Sequence, residues 1–530
     1  MPPEPPKKPE ETGLQIRPAT GLVRLPDGGS PVLSEIISRS LAHIQTSKAL
    51  AARHRIGEYE LCDPDYRQIL LWANAFHIVP EAFLDLLLAE SWAETAEEKA
   101  WYEEVKTKIV DGRIERIGWD TGLLPFQSLE WVDGLVIESL AFFGPYDANP
   151  PERTLSLPLP SLRHLYCRGM GLTEVDITML PQLEKLWCRA NPNVTKLDLS
   201  GVPLLTYLDC AGNHIAALDL ASVPKLVELW CESFSPEICF DPECNQITNL
   251  DLSKVPCLEK LYCDGNQLTS LDLSRVPKLT ELSCDDNRIS FLDLSNIPSL
   301  RQLSCDGNQL TGLDLSQLPN IEKLACFSNK IESLDLSHTP LLKELWCSHN
   351  GLTKLDISRV PQLVELRCCH NRLSEMDLSN VRYLLKLVCQ NNEIRVLDLA
   401  NVPQLSVLHC CSNLLQGLDL ARVPHLTELW CNNNDLLNLT VSGVPKLAEF
   451  LCGGNKITEL DVSVLSQLWW LDCSMNQICT LDLSRNLELR RLSCDYNQIA
   501  RLDIRHLKKL EYLCFDEGKT RLTRRWGLHF

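Results

Sequence analysis

The sequence predicts a β-rich solenoid, curved or superhelical, with two short strands per unit and a small α-helical module at its N-terminus. Three observations carry that prediction. A 21-residue phrase recurs from Leu155 to about Glu517, and one clean copy reads LTSLDLSRVPKLTELSCDDNR over residues 268–288. Twelve consecutive cysteines, from Cys263 to Cys494, fall 21 residues apart. Asparagine follows the cysteine three positions later, as at Asn266, Asn287 and Asn308. A fixed period in the twenties with leucine at fixed offsets marks an array in which no unit buries its apolar face alone and only stacking makes a core.

Within each unit, L-x-x-L-x-C predicts a short strand whose leucine and cysteine point inward. The asparagine column has both donors and acceptors, so it can satisfy backbone groups left unpaired where the coil turns. L-D-L-S predicts a second narrow strand, ended by V-P because proline cannot continue a ladder. Fifteen aspartates occupy that segment from Asp176 to Asp503, broken only at Thr440. Carboxylates stacked about 4.8 Å apart repel unless each is locally satisfied. The expectation is that each accepts a backbone N–H of the following turn; a row of bound Ca²⁺ is the alternative, without the glycine-rich turns of calcium solenoids.

The phrase L-x-x-L-x-C-x-x-N-x-L-x-x-L-D-L-S-x-V-P-x resembles a leucine-rich repeat, with cysteine where the strand motif more often carries leucine. It is similar in particular to the short 21-residue bacterial class, and the resemblance covers about two thirds of the chain. The resemblance implies a scaffold that binds other macromolecules, although a fold alone does not dictate a function.

A net charge of −19 argues against nucleic acid or an anionic membrane as the main partner. The expected partner is a protein, with the oligomeric state left open. No run of about eighteen apolar residues is present to span a membrane, and the opening MPPEPPKKPEE lacks the apolar core of a secretory signal. Sixteen of the 24 cysteines share one column. Neighbours in a column point the same way, which suits a disulfide poorly, so free buried thiols packing as small hydrophobes are expected, in a reducing cytoplasmic setting.

Taken in order, residues 1–30 hold seven prolines and read as a disordered leader. Residues 31–110 read as a helical module or cap, with helices over Leu33–His54, Tyr66–Phe76 (started by Asp63-Pro64-Asp65), Pro80–Leu88 and Glu94–Val110. A strand over Ile114–Trp119 opens degenerate cap repeats at 111–154, since a terminal unit must meet something other than another repeat. The regular repeats occupy 155–517, with eleven extra residues between Cys231 and Asn245 that should emerge as a surface loop. Phe515 takes the cysteine's place in the last unit, and the tail 518–530 should cover it.

The candidate binding residues are the aromatics flanking the inward leucine. Trp187, Tyr207, Trp230 and Tyr262 form the first group, beside the inserted loop, and Trp346 and Trp430 the second. Such side chains anchor protein interfaces; the plainer alternative is that they shield a β surface that favours aromatics. The chain is therefore expected to be a non-enzymatic protein-interaction scaffold that grips its partner on the concave sheet, without cofactor or metal. Two other readings are an effector or sensor subunit whose helical module signals, and an enzyme centred on Asp63, Asp65, His77 and Glu81, whose spacing defines no reaction. No G-x-x-x-x-G-K phosphate loop, H-E-x-x-H or G-x-S-x-G occurs. Cys239, Cys244, Cys257 and Cys263, and His349, Cys369, His370, His409 and Cys411, group in sequence without the paired C-x₂-C spacing of zinc sites.

Overall fold

The computed structural model describes residues 53–75, 78–88, 106–111, 113–120, 136–143, 154–233 and 245–524. The inserted loop, His77, the whole leader, most of the Leu33–His54 and Glu94–Val110 segments and residues 525–530 of the C-terminal tail lie outside the described residues.

One sheet organises the chain. It opens with Lys108–Val110 antiparallel to Arg113–Asp120, then runs parallel through Ser139–Phe143, His164–Tyr166 and Lys185–Trp187, and gains one three-residue strand per turn as far as Tyr512–Cys514. Register is uniform: Leu261 stands opposite Leu282, and Leu282 opposite Leu303. Side chains alternate across a strand, so this register places every central leucine inside, where Leu261, Leu282 and Leu303 are buried, and both flanking residues outside. Each buried leucine contributes about 2 kcal/mol of apolar transfer.

The L-D-L-S segment is extended, but it pairs as a second ladder only at the two ends of the array. Thr154–Ser156 pairs with Glu174–Asp176, and Arg501–Asp503 with Arg521–Thr523. Between them its donors are used within the unit. The N–H of Ser274 goes to Asp272 Oδ1 at 2.9 Å, while Val276 and Leu279 close reverse turns onto the carbonyls of Leu273 and Val276 at 3.3 and 3.1 Å. The same turn bond closes the paired ends, where the N–H of Thr178 goes to Asp176 Oδ1 and that of Arg505 to Asp503 Oδ1, both at 3.1 Å.

The asparagines tie the turns together. Asn308 Nδ2 donates to the carbonyl of Cys305 in its own unit at 3.3 Å and to that of Cys284 in the preceding unit at 2.9 Å, while its Oδ1 accepts the N–H of Ile289 at 3.0 Å. The same bridge recurs at Asn266, Asn287 and Asn413. Asn245 also belongs to the column: its Nδ2 reaches the carbonyls of Cys210 and Cys231 at 3.0 and 3.3 Å, so the bridge passes across the insertion. Among the described residues, the one before each column asparagine is left-handed, whatever its type: φ is 50° at Asp286, 53° at His349 and 52° at Tyr496.

All sixteen column cysteines are free and buried. Where a partner is available the thiol donates to the next unit's carbonyl, as Cys305 Sγ does to Ala325 O at 3.4 Å. Burial pushes the Cys347 thiol up to about 12, which keeps it protonated.

At the N-terminal end, helices Asp63–Ala75 and Pro80–Leu88 form where their start signals place them. Two segments read as helix end in strands instead. Arg53–Ile56 forms a hairpin with Tyr59–Cys62 around Gly57, and Lys108–Val110 turns at Asp111 onto Arg113–Asp120. In both cases the end of the segment finds a partner strand, and that tertiary pairing overrides local helical spacing. Asp65 Oδ1, at the helix start, accepts the buried N–H of Ile114 at 2.9 Å. Trp72, Phe83 and Leu84 share one continuous core with Ile114 and Ile117.

Two measurements test this arrangement. In native protein the column thiols, Cys305, Cys326 and Cys347 among them, should resist a thiol reagent that labels exposed Cys479, and should react once denaturant is added. Rapid native labelling of the three would contradict the buried ladder. Asn308→Ala removes one of the two asparagine donors that the carbonyls of Cys284 and Cys305 each accept and leaves the buried N–H of Ile289 without a partner, so urea unfolding should show a loss of about 1–3 kcal/mol; a loss under about 0.5 kcal/mol would mean that the bridge does not carry the stack.

A candidate protein-binding face

The outward positions of the ladder form two columns, one on each side of the buried leucine. Trp187, Tyr207, Trp230 and Tyr262 all lie there and are half-buried. They do not make one continuous surface. Tyr166 and Trp187 stack at 4.0 Å, and Trp187 leans on Tyr207 at 4.6 Å. Trp230 and Tyr262 stack at 3.8 Å as a separate pair. Asp209 stands between the groups, 2% exposed, bonded to the N–H of Ala211 at 3.2 Å and 3.5 Å from Arg189. A carboxylate replaces an aromatic at this step of the column, and it interrupts the stack.

Trp346 and Trp430 do not join into a second group. Trp346 is held between Lys323 Nζ, 4.3 Å from the ring centroid, and Arg367, 4.8 Å away. Trp430, four strands further on, stacks with His409 at 3.9 Å and meets Trp470 edge-on at 6.3 Å. A groove of about 860 Å³ lies elsewhere: it follows the entry edge of the strands and is lined by Val364, Tyr383 and Leu385, with Lys343 and Arg382 beside them. It is wide open and contains no stacked pair, and Lys343 is already bound to Glu322 at 2.6 Å. The aromatic face is the better-built candidate.

Carboxylates follow the column cysteine in four successive units: Glu232, Asp264, Asp285 and Asp306. They interlock turn by turn. Asp264 accepts the N–H of Asp285 at 2.7 Å and the Ser283 hydroxyl at 2.9 Å, and Asp285 accepts the N–H of Asp306 at 2.6 Å and the Ser304 hydroxyl at 2.8 Å. Burial, reinforced by neighbouring carboxylates, pushes Glu232, Asp264 and Asp306 up to about 7. This column was not apparent from sequence. Its signal, an acid directly after the cysteine in consecutive units, was available there but spans only four of them.

The L-D-L-S aspartates behave in the opposite way. Each accepts the N–H two residues on, as Ser295 donates to Asp293 and Ala400 to Asp398 at 3.0 and 2.9 Å. That is the local hydrogen-bonding expected of them. The serine hydroxyl and N–H hold Asp272, Asp293 and Asp314 below the usual carboxylate range, and Arg505 draws Asp503 down to about 2.

The remaining polar candidates are tied up locally. His349 and His370 stack on each other at 4.0 Å, Cys369 Sγ donates to Val388 O at 3.4 Å, and Cys411 lies 3.8 Å from Asn432 Oδ1. No group of three or more His, Cys, Asp or Glu converges as a metal site among the described residues. In the N-terminal helices Asp63 binds His54 at 2.9 Å and also Arg67, Asp65 holds Ile114, and Glu81 is exposed. Among the described residues no single helix is long and apolar enough to cross a membrane.

No protein-family model matches the sequence, and comparison with curated proteins gives no match. Solved structures do match. The functional domain of InlJ from Listeria monocytogenes, which includes a cysteine ladder, is 34% identical over 60% of this chain and 68% of its own, with a TM-score of 0.56. The chain belongs to the leucine-rich-repeat family. Its 21-residue turn fits the short bacterial class. YopM from Yersinia enterocolitica is 22% identical over 87% of this chain and 99% of its own, with a TM-score of 0.59, and shares the fold. So does the plant peptide hormone receptor RGFR1, solved in complex with RGF2, at 17% identity over 78% of this chain and 83% of its own, with a TM-score of 0.60.

The two acid columns give this leucine-rich-repeat protein a two-limbed stability profile. Glu232, Asp264 and Asp306 have raised folded values, so between about 4 and 7 the folded chain binds protons that the unfolded chain has released, and acidification across that window adds stability. The turn aspartates are depressed; the stability they contribute is present above the unfolded value and lost as pH falls through the folded one. The melting temperature should therefore rise from pH 8 to about 5 and fall below about 4. Glu232→Gln with Asp264→Asn should flatten the first limb and leave the second. A first limb unchanged in the variant would assign it to other groups.

Proposed function

We propose that this protein is a non-enzymatic scaffold that binds a polypeptide partner on the outward face of its strand ladder. Trp187, Tyr207, Trp230 and Tyr262 are the principal anchors, with Trp346 and Trp430 as outlying ones. The observation that carries the reading is the pair of half-buried aromatic stacks on a face whose other large outward side chains are mostly charged and paired between turns, as Lys260 is with Glu281 at 3.4 Å and Lys323 with Glu344 at 3.3 Å. Rings pre-stacked in this way lose little side-chain entropy on binding, a property of interface anchors. A solenoid of this fold carries a polypeptide ligand in the RGFR1 complex with RGF2. The sixteen buried free thiols support a reducing, cytoplasmic setting.

The test uses the full chain as bait, with Trp187→Ala and Trp230→Ala separately and together. Each change should cost about 2 kcal/mol of binding to a partner captured by the wild type. Stability should change little, since both rings lie on the outer side of the ladder. Capture and affinity unaffected by the double variant would exclude this face and redirect attention to the His409, Trp430 and Trp470 cluster.

A further inference from the structure

Trp346 shows how this face treats an aromatic ring when the chain supplies its own cations. Lys323 and Arg367, from the strands on either side, lie over its ring. Lys185 lies 5.8 Å from the ring of Trp187 in the same manner, and Arg491 lies 5.5 Å from that of Trp470. Among the described residues no cation lies over Trp230 or Tyr262. Those two rings are bordered by acids: Trp230 Nε1 donates to Glu228 at 2.9 Å, and the Tyr262 hydroxyl donates to Glu281 at 2.5 Å.

The carboxylates that follow are arranged beside the same rings. Residues before and after the inward cysteine face the same way, so Trp230 and Glu232 share the outer face, as do Tyr262 and Asp264. The Ser283 hydroxyl, in the ring column, bonds to Asp264, in the acid column. Asp264, Asp285 and Asp306 take their hydrogen bonds from N–H and hydroxyl groups, and among the described residues no Lys or Arg lies within ion-pair distance of these three or of Glu232. Arg189 is engaged with Asp209 and Lys260 with Glu281. One oxygen of Glu232, Oε2, is buried without any hydrogen-bond partner.

We propose that the stretch of ladder from Trp230 to Asp306 takes a cationic polypeptide segment, whose arginine or lysine side chains lie against the Trp230 and Tyr262 rings and pair with the carboxylates of Glu232, Asp264, Asp285 and Asp306. This rests on the reading of the face as a protein-binding surface and names the chemistry of the partner. The carboxylates are spread one per turn rather than gathered at a point, which suits a row of side chains better than a single ion. Guanidinium groups bind carboxylates in pairs of charge-assisted bonds and lie flat on aromatic rings. A partner of opposite charge would also be steered by the acidic chain.

The experiment follows a fluorescein-labelled nona-arginine peptide by anisotropy, with nona-glutamate as the control. Two triple variants of the full chain, compared at about pH 8.5 where the acids of both columns are ionised, remove the same charge from different places. Glu232→Gln, Asp264→Asn and Asp285→Asn neutralise the proposed site, whereas Asp272→Asn, Asp293→Asn and Asp314→Asn neutralise the turn column and keep an acceptor for its N–H bonds. The first triple should weaken peptide binding at least about ten-fold, and the second less than about two-fold; Trp230→Ala should weaken it as well. Equal weakening by both triples would reduce the attraction to net charge and overturn the proposal, as would no weakening by the first. Displacement of the peptide by millimolar Ca²⁺ at constant ionic strength, abolished by the first triple, would make the column a cation site instead. A captured partner that is lost from the Trp187→Ala, Trp230→Ala double variant but kept by the carboxylate triple would leave the protein-binding face standing and remove only the cationic partner.

Discussion

A single side-chain amide per turn governs what the rest of this molecule can be. Where each coil leaves the ladder, two carbonyls and an N–H face the interior with no strand to meet them, and an unpaired buried group of this kind costs about 1–3 kcal/mol. Asn308 supplies both donor bonds and the acceptor, across two units. Because the bridge reaches only the adjacent turn, it fixes the rise and register of neighbours and nothing further away. The uniform leucine pairing follows from that constraint, and so does the room available for each cysteine, which fills the space between bridges as a small apolar group.

Aspartate serves two opposite purposes in the same chain, and position alone decides which. In L-D-L-S the carboxylate stands in water and accepts a nearby N–H, so its charge is comfortable. Directly after the cysteine it is packed among other carboxylates, where desolvation and repulsion disfavour the charge. The second arrangement is a standing electrostatic cost, kept within four successive turns beside the Trp230 and Tyr262 pair. Costs of that kind concentrate where a surface has a task besides folding.

Much of this was legible in the sequence because a column repeats its own signal. Leucine, cysteine and asparagine at constant offsets announced the inward stripe and the bridge, and the L-D-L-S aspartates formed the turn bonds expected of their residue type. What could not be read depends on pairing between units or on mixed residue types. The L-D-L-S segments pair as strands at the two ends of the array and not between them, although the same local turn bonds close them in both places. The left-handed column, with Asp286, His349 and Tyr496 at equivalent places, shares a backbone state and no side-chain chemistry. Asp209 stood in plain view within the aromatic column, yet only its burial against Arg189 shows that it parts Trp187 from Trp230. The grouping of Trp346 with Trp430 failed for a simpler reason: likeness of residue type is not adjacency, and four strands separate them.

The bridge at Asn245 has one more implication. Its Nδ2 still meets the carbonyls of Cys210 and Cys231, and its N–H still meets the carbonyl of Asn213 at 2.7 Å, although eleven residues have been added since Cys231. The spacing between turns is thus insensitive to the contour length of chain that joins Ser233 to Asn245. Such a joint behaves as a splice point: segments of very different size can be exchanged there, by evolution or by engineering, with the stack on either side left in phase.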